Sequence, residues 1–205
     1  MKELETYAFI DVQNTEGTAD FLGFLIDWKK LSDHLTINYF SKGNYFYLGI
    51  EQGDETRTNE FNSLMCGTCF IKPKIFKKYK QKDKIYNVIC SSCKNEFVKK
   101  IPGRFDWKCN CDVDLTIDVI EVAQDKAIRA LIFTGDGDFK PLIEKLMKDN
   151  EKSKVYIFSS PTKINGNSRL STKLRNLTSI YKDRVVFVDL NLLKKIIEKE
   201  IIIAQ

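Results

Sequence analysis

Apolar positions along the chain fall into two spacings. Short runs rich in aliphatic and aromatic residues stand at 7–10, 44–50, 131–134, 155–158 and 185–188, and a shorter run at 69–71 ends near Pro73. Runs of this length bounded by glycine, proline or polar residues read as buried strands. Between them, apolar residues recur every three or four positions. The sets are Phe24, Leu25, Trp28, Leu31 and Leu35; Phe61 and Leu64 before Gly67; Leu142, Ile143, Leu146 and Met147; Leu170, Leu174 and Leu177; and a last segment from about 192 to 202. That spacing predicts helices with one buried stripe. The first strand is expected to reach its helix through a polar loop at 15–18, and Pro141 is tolerated in the first turn of a later helix because N–H groups there have no partner. Strands alternating with helices predict an α/β fold: a central, mostly parallel sheet flanked by helices.

Length and composition narrow this to one globular domain over 1–205. The chain has 205 residues, 43% hydrophobic and 30% charged, which is enough to bury a core. No apolar stretch approaches the roughly 18 residues that a membrane span needs, and the first residues, Met1-Lys2-Glu3-Leu4-Glu5, lack a signal-peptide core. A cytoplasmic protein with no membrane partner is expected. In that compartment six cysteines point to metal binding or packing before disulfides. His34, the only histidine, lies on a predicted helix and reads as a surface or half-buried residue; a lone histidine excludes a histidine-pair ribonuclease.

Charge is unevenly distributed. Between Ile71 and Lys108, twelve basic residues face three acids, Asp83, Glu96 and Asp106, a local +9 in a chain whose total is +5. Phe76, Tyr79, Tyr86, Phe97, Phe105 and Trp107 are interleaved with the lysines. Lysines neutralise phosphates and flat rings stack on bases, so this stretch reads as a nucleic-acid-binding arm, against the plainer reading of a solvated hairpin with its own small core. The candidate phosphate contacts are Lys72, Lys74, Lys77, Lys78, Lys80, Lys99, Lys100 and Arg104.

The arm, taken as a hairpin insertion over 74–111, also carries cysteines. Cys90 and Cys93 form C-x2-C, the shape of a zinc knuckle. Cys109 and Cys111 are the preferred second pair, giving a structural Zn2+ site. Cys66 and Cys69 are the alternative pair by spacing, but Cys69 starts a strand whose far end launches the arm, roughly 18 Å away. Cys66 and Cys69 are then expected to be small buried packing residues.

Carboxylates mark the predicted strand ends. Asp11 closes the first strand, Asp136 and Asp138 flank Gly137 after the run ending at Thr134 and Gly135, and Asp112, Asp114 and Asp118 crowd one loop-to-helix boundary. Ligands of open α/β sheets bind at the carboxyl ends of the strands. Each acid could merely cap a helix, but several carboxylates on one edge repel unless a cation sits among them. Oxygen donors select Mg2+ or Mn2+, and such an ion activates water for phosphodiester hydrolysis.

Three ordered motifs, Phe9-Ile10-Asp11-Val12-Gln13-Asn14, the stretch 108–118, and Thr134-Gly135-Asp136-Gly137-Asp138-Phe139, resemble the NYN domain of PIN-like nucleases, in its LabA/DUF88 branch. The likeness extends to Ile26-Asp27-Trp28 and to 64–73, and covers nearly the whole chain outside the arm. It implies a Rossmann-like PIN/NYN fold and a metal-dependent ribonuclease site, with Asp11, Asp112, Asp136 and Asp138 in the catalytic positions. Asn14, Thr134 and Asp118 take supporting ones. Cys109 stands where the family usually has lysine or glycine, which favours its recruitment to zinc. The expected function is an endoribonuclease in which Asp11, Asp136 and Asp138 hold Mg2+ or Mn2+, with RNA as partner and room for a homo-oligomer. The rival is a non-catalytic RNA-binding or scaffold protein on the same fold. A haloacid-type phosphatase is disfavoured because Gln13, not an acid, stands two residues after Asp11.

Overall fold

A computed structural model of the chain describes residues 4–164 and 166–200. Its strands are β1 (Glu5–Asp11), β2 (Ser41–Ile50), β3 (Cys69–Ile75), β4 (Lys77–Lys80), β5 (Lys84–Ile89), β6 (Glu96–Ile101), β7 (Phe105–Lys108), β8 (Ile128–Phe133), β9 (Lys154–Ser159), β10 (Lys163–Ile164), β11 (Asn167–Ser168) and β12 (Val185–Asp189). Its helices are α1 (Val12–Phe21), α2 (Trp28–Asn38), α3 (Glu55–Asn62), α4 (Asp112–Val122), α5 (Lys140–Asp149), α6 (Thr172–Ile180) and α7 (Lys194–Ile197), with 3-10 turns at Gly137–Phe139 and Leu190–Leu193. Among the described residues no helix is long and apolar enough to cross a membrane.

Six strands form one sheet in the order β12-β9-β8-β1-β2-β3, and every neighbouring pair is parallel. Period-two alternation divides its side chains between two cores. Ala8, Ile10, Phe46, Leu48, Leu131 and Phe133 face one core, closed by Trp28, Leu31 and Leu35 of α2 and Phe61 of α3. Phe9, Tyr47, Ala130, Ile132 and Ile157 face the other, closed by Leu115 and Val119 of α4, Leu142 to Met147 of α5, and Leu174 and Leu177 of α6. Both faces are dry, which is why the strands read as continuous apolar runs. The chain steps from β1 to β2 and β3 in one direction, then returns to β8, β9 and β12 in the other. The sheet therefore has its topological switch point between β1 and β8, where open α/β sheets hold ligands.

Three sequence-derived boundaries change. Residues 15–18 lie inside α1, not in a loop, because Asp11 caps that helix at once by accepting a hydrogen bond from Asn14 N at 3.1 Å. The apolar stripe from Phe24 to Leu35 is not one helix: α1 ends before Gly23, at φ 76, Phe24 to Ile26 lie in the connection, and α2 starts only where Asp27 caps it; Leu25 is left exposed. The last helix ends at Ile197, followed by an extended Glu198. Ile201 and Ile202, expected to continue it, lie outside the described residues, as does the side chain of Trp107. β3 runs on through Pro73, whose missing N–H is tolerated because β3 is an edge strand.

The arm leaves β3 and returns to α4 as two antiparallel ladders. β4 pairs with β7, Lys77 opposite Lys108, and farther out β5 pairs with β6, Ile89 opposite Glu96. Asp83 joins the two, accepting from Gly103 N at 2.9 Å and pairing with Lys100 at 3.0 Å. Among the described side chains the arm builds no core of its own: Tyr79, Ile85, Tyr86, Phe97, Val98 and Phe105 are exposed. Its base is fixed to the sheet by Phe76. Phe76 N donates to Ile50 O at 3.0 Å, and the Phe76 ring comes close enough to Gly49 that a Cβ there would strike it.

Candidate active site

The carboxyl ends of β1 and β8 meet at the switch point, and main-chain geometry fixes both loops. Asp11 Oδ1 caps α1, and Asn14 Oδ1 accepts from Gly135 N at 2.9 Å, tying the first loop to the second. Thr15 Oγ1 donates to Asp11 O at 2.6 Å and also reaches Phe133 O at 3.4 Å. Thr134 is buried, and its Oγ1 accepts from Asp136 N at 3.2 Å; Asp136 Oδ1 in turn accepts from Asp138 N at 2.9 Å. Gly135 is demanded by close approach, since any side chain there would collide with the carbonyl of Arg169. Ser171 N closes the same contact by donating to Gly135 O at 2.9 Å.

Four sequence-identified acids lie near enough to this point to influence one another electrostatically. Asp11 is half-buried, and its carboxyl is pushed up to about 6, first by burial and then by the negative charges of Asp112 and Asp136, against lowering by the Asn14 N–H and Arg169. Asp112 opens α4, solvated on one side and crowded by protein on the other. Its pKa is raised by that crowding, then by Asp136 and Asp138. Asp136 and Asp138 are exposed, and Lys173 Nζ stands 3.3 Å from Asp138 Oδ1. The acids sense one another electrostatically, yet among the described residues no three His, Cys, Asp or Glu side chains stand close enough to grip one ion directly.

Other expected residues lie elsewhere. Asp118 sits a turn and a half along α4 from Asp112; it accepts from the Tyr47 hydroxyl at 2.8 Å and pairs with Lys72 at 3.1 Å. Burial, then Asp118, raises the Tyr47 phenol, so it stays a donor. Lys74 pairs with Asp114 at 2.7 Å and donates to Asn110 O at 2.9 Å, and Lys78 lies 4.5 Å over the Phe105 ring. Lys77, Lys80, Lys99 and Arg104 are exposed. A cleft of about 1080 Å3 runs from Asp11, Asn14 and Asp112 to Lys77, Tyr79 and Lys108 at the arm base.

The zinc site expected from Cys90, Cys93, Cys109 and Cys111 is not assembled among the described residues. Cys109 follows β7 at the arm's base, whereas Cys90 follows β5 at its tip. Four rungs of one ladder and six of the other lie between them, roughly 30 Å end to end. Cys109 and Cys111 have their Sγ atoms 3.1 Å apart, and burial, then Cys109, raises the Cys111 thiol. The alternative pair joins neither set. Cys69 is buried with Sγ 2.9 Å from Ser32 Oγ, as its packing role requires, but Cys66 is exposed, and hydrogen bonds from Thr68 and Cys69 lower its thiol to about 7.

One residue beside the acids had no signal in the sequence. Arg169 precedes α6, yet its guanidinium reaches across to Gly17 of α1, and its charge acts on Asp11.

The parallel, doubly wound sheet agrees with the family comparison. The model of the NYN domain matches residues 5–179. The chain belongs to the NYN domain family. The match spans five of the six sheet strands, the arm and nearly all of α6, and stops before β12. Members of this family are generally nucleases acting on RNA, and the PIN-like fold is consistent with the parallel sheet seen here. A solved structure of a protein of unknown function from Vibrio parahaemolyticus is similar, with 21% identity, a TM-score of 0.55, and coverage of 92% of this chain and 97% of that one. At that identity the likeness shows the fold. No curated protein matches the chain.

Proposed function

We propose that this NYN domain is a metal-dependent endoribonuclease that hydrolyses RNA at the Asp11, Asp112, Asp136 and Asp138 cluster and grips its substrate with the basic arm. The observation that carries the reading is the placement of Asp11 and Asp136 at the switch point, after β1 and β8, with their loops tied by the bond from Gly135 N to Asn14 Oδ1 at 2.9 Å; burial and the neighbouring carboxylates push Asp11 up to about 6, a deficit that a cation would relieve. The donor set fits. Oxygen-only side chains suit Mg2+ or Mn2+, and Mg2+ keeps several waters and is held through one or two carboxylates, which suits acids too far apart to converge directly. An ion there would lower the pKa of a bound water and stabilise charge on a phosphoryl oxygen.

Asp11, Asp136 and Asp138 would hold the ion, and Asp112 would complete the site or orient the attacking water. Asn14 and Thr134 keep the two loops in register. Lys77, Lys80, Lys99 and Arg104 would carry phosphates, with Lys78 contributing from over the Phe105 ring, while Lys72, Lys74 and Lys100 have acidic partners and contribute less.

The spread of the acids favours one rival, a non-catalytic RNA-binding domain on the same fold. End-labelled RNA incubated with wild type and Asp136→Asn in Mn2+, Mg2+ or EDTA decides between them. Cleavage by wild type with a divalent ion, lost in Asp136→Asn, is the expected result. Equal cleavage by both proteins removes the mechanism, and RNA binding without cleavage under any divalent ion establishes the rival.

A further inference from the structure

We propose that Arg169, with Lys173 beside it, is a second phosphate anchor, placed across the carboxylates from the arm, so that an RNA strand is held on both sides of the cluster. This rests on the reading that the cluster acts on RNA.

The sheet order supplies the geometry. Along the carboxyl edge the arm rises from β3, Asp11 ends β1, Asp136 follows β8, and the segment leading to Arg169 follows β9. From β3 to β9 are four strand intervals, about 19 Å at the usual spacing. The arm's cations and Arg169 therefore flank the acids from opposite directions. The cleft accounts for the arm side only, since Lys77 and Lys108 line it and Arg169 does not.

Arg169 is held in place by its main chain. Its carbonyl packs on Gly135, Leu170 N donates to Ser160 O at 3.0 Å, and Ser171 N donates to Gly135 O at 2.9 Å. From that fixed point the side chain crosses to Gly17, one turn beyond Asn14, where a Cβ would collide with the guanidinium.

What the guanidinium lacks is a partner. Its Nε is buried without a hydrogen bond, and among the described residues no acid lies within ion-pair distance of it. A buried donor left unpaired is destabilising. If Arg169 served only to neutralise Asp11, a hydrogen bond between them would relieve that, and none is made. An arginine fork matches a phosphate with two parallel N–H donors, and a phosphate seated over the acids would satisfy it. Lys173 adds a mobile charge there: its side chain is 63% exposed and its pair with Asp138 at 3.3 Å is a weak surface contact.

Fluorescence anisotropy with an unpaired RNA oligonucleotide, in EDTA and across a salt series, reads the anchor without relying on cleavage. Arg169→Ala is expected to weaken binding several-fold and to reduce the salt slope by about 0.7, the loss of one phosphate contact on a single strand. Arg169→Lys should restore the slope but not the full affinity. Should the alanine variant unfold, Arg169→Gln keeps the packing over Gly17 and reads the same slope. Unchanged affinity and slope in a folded variant overturn the anchor, and so does weaker binding with an unchanged slope, the mark of a structural role. Binding that depends on Arg169 without cleavage by wild type leaves the anchor standing and removes the nuclease reading. A wild type that binds no RNA overturns both.

Discussion

Asp11→Asn isolates the electrostatic cost of the site. Asparagine caps a helix as well as aspartate does, so the substitution keeps the hydrogen bond from Asn14 N and removes the charge. In the folded protein Asp11 holds its proton to about pH 6, against an ordinary value of 3.8. Between those values the folded state binds more protons than the unfolded one, so stability falls as pH rises through the window and is level above it. The gap corresponds to about 3 kcal/mol, an upper bound, since the acid cluster relaxes when charged. Urea unfolding in EDTA should therefore find Asp11→Asn more stable than wild type at pH 8 by up to that amount, a midpoint roughly 1–2 M higher. The difference should shrink below pH 6 and vanish below pH 4. Adding Mn2+ at pH 8 should stabilise wild type and leave the variant unmoved. A variant no more stable than wild type at pH 8, or one whose advantage is the same at pH 4, would refute the claim that Asp11 is charged at a cost.

Water activated by a metal attacks phosphorus without help from the 2′-hydroxyl, so products should carry 5′-phosphate and 3′-hydroxyl ends; 2′,3′-cyclic phosphate ends, seen by mass spectrometry, would reassign the nucleophile. Cys66 should react with iodoacetamide along a curve centred near pH 7, while Cys111 stays silent, and Thr68→Ala should move the Cys66 midpoint upward; peptide mapping of labelled thiols checks both. Charge reversal of exposed Lys77 and Lys80 should weaken RNA binding and flatten its salt dependence without changing the urea midpoint. A shifted midpoint would mean these lysines hold the arm together.

The sheet and two of its acid-bearing ends were legible because strands buried on both faces are continuous apolar runs: Asp11 closes one such run, and Asp136 and Asp138 come shortly after another. α1 was hidden by its own composition: Thr15, Gly17 and Thr18 look like a loop until Asp11 is seen to cap them. The cysteine set was not legible from spacing, which carries no record of hairpin length; two ladders lie between Cys90 and Cys109. Asp118 follows helical spacing from Asp114, but its partner is chosen by sheet register, which places Tyr47 opposite Asp11. Arg169 lay in a polar, aperiodic segment, and its position follows from main-chain packing against Gly135, which no side-chain pattern encodes.

The arm's attachment has a mechanical consequence. Phe76 seated on Gly49 holds the outgoing strand, and the returning strand runs through Cys109 and Cys111 straight into α4, whose first residue is Asp112. The arm is thus a lever: Phe76 is its fulcrum, the exposed basic ladders are its long end, and Asp112 is its short end. Asp112, the one acid of the cluster that does not stand at the end of a sheet strand, is therefore positioned by the same stretch of backbone that closes the arm.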